Sequence, residues 1–178
     1  MNKQGKLHLL GNLLGLLIIC SILIFALWDQ LIIDDLPCPL CLLQRVCYIA
    51  IGLGMLMNLR LGVKPSHYGL MSLATLLGLA ISVRQITLHL APGDMGYGSP
   101  ILGYYLYTWA AISFAVIITL IALALIFDQG FNIEYKIQHP GGKALIALFL
   151  FLILANVVST FILCGPFTCP DNPTQYYF

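Results

Sequence analysis

The chain has 178 residues, of which 60% are hydrophobic and only 8% charged. A soluble domain carries about a quarter charged residues, so a chain this poor in charge could not cover a water-facing surface. A net charge of +1 with no basic stripe also excludes a nucleic-acid partner, which leaves a multi-span membrane protein.

In chain order, two lysines precede an apolar run from Leu7 to Trp28. This run is longer than the roughly 7–15-residue core of a signal peptide and lacks a small-residue cleavage site, so it is read as a retained first span. The following spans are predicted at Cys41–Leu59, Ser66–Leu90, Leu102–Phe127 and Ala144–Leu163. At ~1.5 Å per residue each can cross a ~30 Å hydrocarbon core. All are expected to be helices, because lipid offers no partner to an unsatisfied backbone. The fold expected is an all-α membrane protein forming a single integral domain over 1–178, with no internal repeat and no low-complexity segment.

Charge orients the spans. Segments 1–6, 60–65 and 128–143 hold Lys3, Lys6, Arg60, Lys64, Lys136 and Lys143, six of the eight basic residues. The other side holds Arg45 and Arg84 beside Asp29, Asp34, Asp35, Asp94 and Asp171. Positive-inside bias then places the N-terminus in the cytoplasm. An odd number of spans leaves the tail 164–178 on the opposite, periplasmic face. Tyr104, Tyr105, Tyr107 and Trp109 suit an interfacial aromatic belt at the start of the fourth span.

Six cysteines stand at 20, 38, 41, 47, 164 and 169. Cys20 and Cys47 lie within spans and are read as small core hydrophobes. Cys38, Cys41, Cys164 and Cys169 fall together at the outer face, where disulfides form and persist in bacteria. Cys38-Pro39-Leu40-Cys41 is a Cys-x-x-Cys opening a helix, whose N-terminal potential stabilises a thiolate. Arg45 follows one turn deeper on the same face as Cys41. An arginine in an apolar helix is expensive. It either snorkels to the headgroups or serves as a fixed cation beside a thiolate and an electron acceptor in the membrane. Cys164 and Cys169 flank a Gly165-Pro166 turn and can close a small ring. They are either redox-active, a structural staple of the tail, or half of a four-cysteine zinc site.

The run Cys38-Pro-Leu-Cys-Leu-Leu-Gln-Arg45 resembles the bacterial disulfide bond formation protein B (DsbB) family, over about residues 7–127. The resemblance implies a four-helix transmembrane bundle in the bacterial inner membrane, here with a fifth helix added. It implies a relay in which a periplasmic DsbA-like thiol oxidase passes electrons to an outer cysteine pair. That pair reduces the Cys38–Cys41 disulfide, and Cys41 then reduces ubiquinone or menaquinone. Arg45 matches the family's quinone-site arginine. The segment from Arg84 to His89 matches the region that completes the quinone pocket, with Gln85 where some members carry histidine; glutamine donates a hydrogen bond but cannot be charged. The family's second pair lies between spans three and four, but here Ala91–Ile101 has no cysteine, and Cys164 and Cys169 follow the fifth helix instead. Cys169 is expected to meet the partner and Cys164 to bridge to Cys38. The rival readings are another membrane thiol redox enzyme, or a small transporter or assembly subunit with a structural tail disulfide. Midplane charges and inverted repeats, the marks of many transporters, are missing from the sequence.

The charge distribution makes a direct prediction. An alkaline phosphatase fused to the C-terminus should be active and a green fluorescent protein fused there dark; the reverse pattern would put Cys164 and Cys169 in a reducing compartment.

Overall fold

The computed structural model describes residues 3–94, 96–127 and 139–178. Five helices account for most of them: α1 (Lys3–Ile32), α2 (Pro39–Leu61), α3 (Pro65–Leu88), α4 (Leu106–Phe127) and α5 (Pro140–Cys164). All five are long and apolar enough to cross a membrane. Among the described residues the extended structure is limited to isolated bridges such as that between Ile101 and Tyr104. The expected all-helical membrane fold with a fifth span is what the chain adopts. Residues 128–138 of the connection 128–143, with Lys136, lie outside the described residues.

The helix ends differ from the sequence reading for local reasons. Prolines 39, 65 and 140 occupy the first turn of α2, α3 and α5, where a missing N–H goes unnoticed and the fixed φ suits a helix. α2 and α5 therefore begin earlier than the predicted Cys41 and Ala144. α4 begins later than Leu102, because Ile101 and Tyr104 exchange backbone hydrogen bonds at 2.8 and 3.1 Å. That turn holds Leu102 and Gly103 at φ 51° and 84°, values no right-handed helix contains.

Packing is organised around α2, which lies against α1, α3 and, over a shorter stretch, α5. α3 packs on α4 and α1 on α5, whereas α1 and α4 do not pack along each other. Close approach relies on small residues, as is usual between helices in lipid. At Gly52 the Phe149 ring of α5 reaches the α2 backbone, and at Gly78 the Phe114 ring of α4 does the same to α3. Phe114 and Phe149 are fully buried with Leu16, Ile19, Leu23 and Ile51 in one continuous core that also takes in Cys20 and Cys47. Those two thiols are packing residues, as expected. A polar knot ties α1, α2 and α3 at the end far from the other cysteines. There Asn58 donates to Asn12 Oδ1 at 3.0 Å, and its own Oδ1 lies 2.9 Å from His67 Nδ1.

The seat of Phe114 on Gly78 leaves no room for a side chain. Gly78→Val should push α3 and α4 apart and lower stability by about 1–3 kcal/mol, the range for overpacked cores, read as an earlier thermal melt in detergent micelles. An unchanged melt would mean the α3–α4 seam is looser than this contact.

Candidate redox site

The site begins at the N-terminus of α2. Cys38 is the N-cap, with extended φ −69° and ψ 164°, and its sulfur accepts from the backbone N–H of Cys41 at 3.3 Å. The two sulfurs of the Cys-x-x-Cys lie 2.8 Å apart, Cys38 buried and Cys41 half-buried. The hydrogen bond with Cys41 and burial push the Cys38 thiol up from its ordinary value. Gln85, projecting from α3, is 1% exposed. Its Nε2 lies 3.3 Å from each sulfur, and its Oε1 accepts from Gln44 Nε2 at 2.9 Å.

Arg45, one turn below Cys41, is 8% exposed. Its guanidinium donates to Gln30 Oε1 at 2.7 Å and to the Ala26 carbonyl at 2.8 Å, both on α1. This is not a snorkelling arginine, because its head is turned into the bundle. Gln30 is itself held from behind: its Oε1 also accepts from Ser159 on α5 at 3.1 Å, and its carbonyl from the Tyr176 hydroxyl at 3.2 Å.

Because α1 and α4 do not close on each other, a cavity of about 590 Å³ opens between them beside α2, a size suited to a small organic ligand. Cys41, Gln44, Arg45 and Tyr48 form its α2 wall, Phe25 and Ala26 its α1 wall, and Tyr107, Trp109 and Ala110 its α4 wall. The lining is mostly apolar, with its polar groups gathered near the α2 N-terminus. Tyr48 is fixed by a hydrogen bond with Ser113 and by stacking on Phe114 at 4.3 Å.

The connection before α4 roofs the cavity and is tied down at several points. Tyr97 donates to the Leu36 carbonyl at 2.6 Å, and Asp35 accepts from the Ser99 N–H at 2.9 Å. Burial pushes the Tyr97 phenol up, with the two cysteines adding to it. Asp94 is held below the usual carboxylate range by the Gly96 N–H and by His89. Of the four aromatic residues expected to form a belt, Tyr104 and Trp109 are exposed. Tyr107 instead is buried, stacked on His89 at 5.5 Å.

Cys164 and Cys169 form a disulfide with their Cα atoms 4.6 Å apart. Cys164 is buried with Leu163, Leu36 and Leu42, and half-buried Cys169 packs on the same cluster. Both cysteine pairs therefore stand at one end of the bundle, and the tail pair closes the small ring that its turn allows. Gly165 turns the chain at φ 63° against the Tyr177 ring, a place no other residue would fit. Among the described residues no three His, Cys, Asp or Glu side chains are grouped to hold a metal ion, and the four thiols stand as two separate pairs.

Two expected residues take different positions. Arg84 is exposed on α3 and is not in the cavity wall, because its position on the helix turns it away from α2. Gln85 sits behind the dithiol and faces its sulfurs, outside the cavity lining. Gln30, Gln44 and Ser159 were missed. Each is a polar side chain in an apolar helix, which was the available signal.

Together these features define a helical membrane protein that presents a buried dithiol to a lipid-depth apolar cavity with an arginine in its wall. The family model for disulfide bond formation protein DsbB matches residues 10–99, and the chain belongs to that family. The match contains Cys38, Cys41, Arg45 and Gln85 and stops before α4. A curated relative, disulfide bond formation protein B of Chromobacterium violaceum, is 43% identical over 75 residues, 39% of this chain and 45% of its own length. The protein of that name from Xanthomonas euvesicatoria is 34% identical over 88 residues, 47% and 51% of the two chains. Disulfide bond formation protein B 2 of Burkholderia lata is 38% identical over 69 residues, 38% and 41%. The chain thus spans about half the length of the curated relatives it matches, and α5 with its cysteine pair lies beyond the family match. No solved structure matches it.

The Gln30–Arg45 contact carries its own prediction. Gln30→Leu should destabilise the protein by about 1.5–3 kcal/mol, the value of a hydrogen bond to a charged group. Adding Arg45→Met should recover most of that loss, since the buried charge then needs no partner. Unfolding in mixed micelles reads both; additive losses would show that the two side chains act independently.

Proposed function

We propose that this protein is a quinone-dependent thiol oxidase of the bacterial inner membrane that reoxidises a periplasmic DsbA-like dithiol oxidase. One observation carries the reading: the Cys38–Cys41 dithiol borders an apolar cavity whose wall holds a buried, fixed arginine. Exchange begins when the partner's thiolate attacks the tail disulfide, with half-buried Cys169 the more accessible sulfur. The partner closes its own disulfide and the tail pair takes up the two electrons as a dithiol. The tail pair then opens the Cys38–Cys41 disulfide by the same chemistry. The packing of the tail pair on Leu36 and Leu42, which flank the Cys38–Cys41 motif in sequence, supports that transfer. The donor set suits a ubiquinone or menaquinone head: Arg45 and Gln44 offer N–H groups to a ring oxygen, and the apolar walls accept the ring. A bound quinone would supply a two-electron, two-proton acceptor. Arg45 orients that acceptor beside Cys41, and the roof from Tyr97 to Leu102 keeps water from the sulfur. The lysine distribution supports a cytoplasmic N-terminus and a periplasmic tail.

Quinone reduction by the purified protein, with a reduced DsbA-like oxidase as donor, tests the reading through quinone absorbance. Turnover should require Cys38 and Cys41. Arg45→Met should lower it about 100-fold, the scale for losing a preorganised donor. Arg45→Lys should lower it less, because the charge remains but the planar fork is lost. Wild-type turnover in Arg45→Met would leave the arginine a purely structural role. Full activity after removing both Cys164 and Cys169 would make the tail pair a staple.

A further inference from the structure

We infer that Gln85 sets the redox poise of the Cys38–Cys41 pair by donating one amide hydrogen to each sulfur, with Gln44 holding the amide in that orientation. The geometry is specific. A side-chain amide has two N–H donors and one acceptor oxygen. Here the oxygen is occupied by Gln44 Nε2 at 2.9 Å, which turns the NH₂ group toward the sulfurs, 3.3 Å from each. Gln85 is fully buried, so water does not compete for either hydrogen. Gln44 is buried too, yet it borders the cavity, so one hydrogen bond links the cavity wall to the dithiol.

The consequence follows from what the sulfurs become. In the disulfide they are neutral, weak acceptors; on reduction the S–S bond breaks, two electrons enter and a sulfur that carries negative charge becomes a strong one. Hydrogen bonds to a charged acceptor are roughly twice as strong as those between neutral groups. The Gln85 amide therefore stabilises the reduced pair more than the oxidised one, and makes Cys38–Cys41 a better electron acceptor. Gln85 touches the reacting atoms; Gln44 acts through it as a positioning residue. This role rests on the redox reading of the dithiol, though not on which quinone or partner serves it.

The test equilibrates purified full-length protein with graded ratios of reduced and oxidised dithiothreitol. Two electrons pass from the reagent, which closes to its cyclic disulfide, to the Cys38–Cys41 bond; of the reagent's two protons one goes to a sulfur and the other to solvent, leaving the second sulfur as thiolate. Acid quench, alkylation and peptide mass spectrometry then count Cys38 and Cys41 separately from Cys164 and Cys169. Gln85→Leu should move the Cys38–Cys41 equilibrium about tenfold toward the disulfide, about 30 mV for a two-electron couple. Gln85→Glu, equal in size but with a carboxylate in place of the donor, should move it at least as far. Gln44→Leu should move it the same way by less, and the tail pair should stay at its wild-type ratio. A wild-type ratio in Gln85→Glu, or a shift toward the dithiol in either Gln85 variant, overturns the inference; if Gln85→Leu does not fold, Gln85→Glu and Gln44→Leu decide it. Because neither quinone nor partner is present, such a result leaves the thiol oxidase reading standing. A wild-type pair inert at every ratio would overturn both.

Discussion

A guanidinium inside a membrane bundle must be matched by acceptors, and the rest of this structure is arranged around meeting that need at Arg45. Its two neighbours, the Gln30 side chain and the Ala26 carbonyl, lie one turn apart on α1, which sets the register of α1 against α2. Gln30 in turn is reached by Ser159 from α5 and by Tyr176 from the tail. Neither acceptor of Arg45 is a carboxylate. Buried ion pairs lose much of their attraction to desolvation. His89 and Asp94 meet at 3.0 Å in the connection above the cavity.

The cavity and the helix packing are two aspects of the same arrangement. α2 is flanked by α1 and α3, and α4 reaches the bundle through α3, so a wedge stays open between α1 and α4. An apolar ligand can enter such a wedge from the bilayer without crossing a polar surface. Of the polar side chains facing it, Gln44 and Arg45 come from the same two turns of α2 as the dithiol. The distance from sulfur to cavity is therefore set by helix geometry and does not depend on a loop. Loops supply the roof, where Tyr97 and Asp35 tie the two connections together.

Much of this was legible in the sequence. The five spans follow from apolar runs, and the Cys-x-x-Cys with an arginine four residues on placed the site. The helix starts were misplaced because the reading used the first apolar residue after a charge or a turn. Pro39 and Pro140, which mark helix starts by their own chemistry, were passed over. Arg84 and Gln85 are adjacent in sequence, yet a helix rotates about 100° per residue, so only one can face α2. A low-contrast helical pattern gave no means of choosing which. Gln30 and Ser159 are 129 residues apart, and the sequence alone offers no way to know that α5 folds back on α1. The tail pairing Cys164–Cys169 was foreseeable from the turn between them, whereas its burial against Leu36 and Leu42 depends on tertiary packing.

The capping role of Cys38 affects how the protein can be studied. Its sulfur closes the first turn of α2 and, in the proposed relay, also exchanges electrons. Serine, the usual surrogate for a cysteine, is among the preferred N-cap residues, whereas alanine forfeits the cap at about 0.5–2 kcal/mol. Serine at position 38 therefore removes the redox atom while keeping the helix end closed, and alanine removes both functions. A loss seen with alanine alone belongs to the helix end, and a loss shared by the two exchanges belongs to the sulfur.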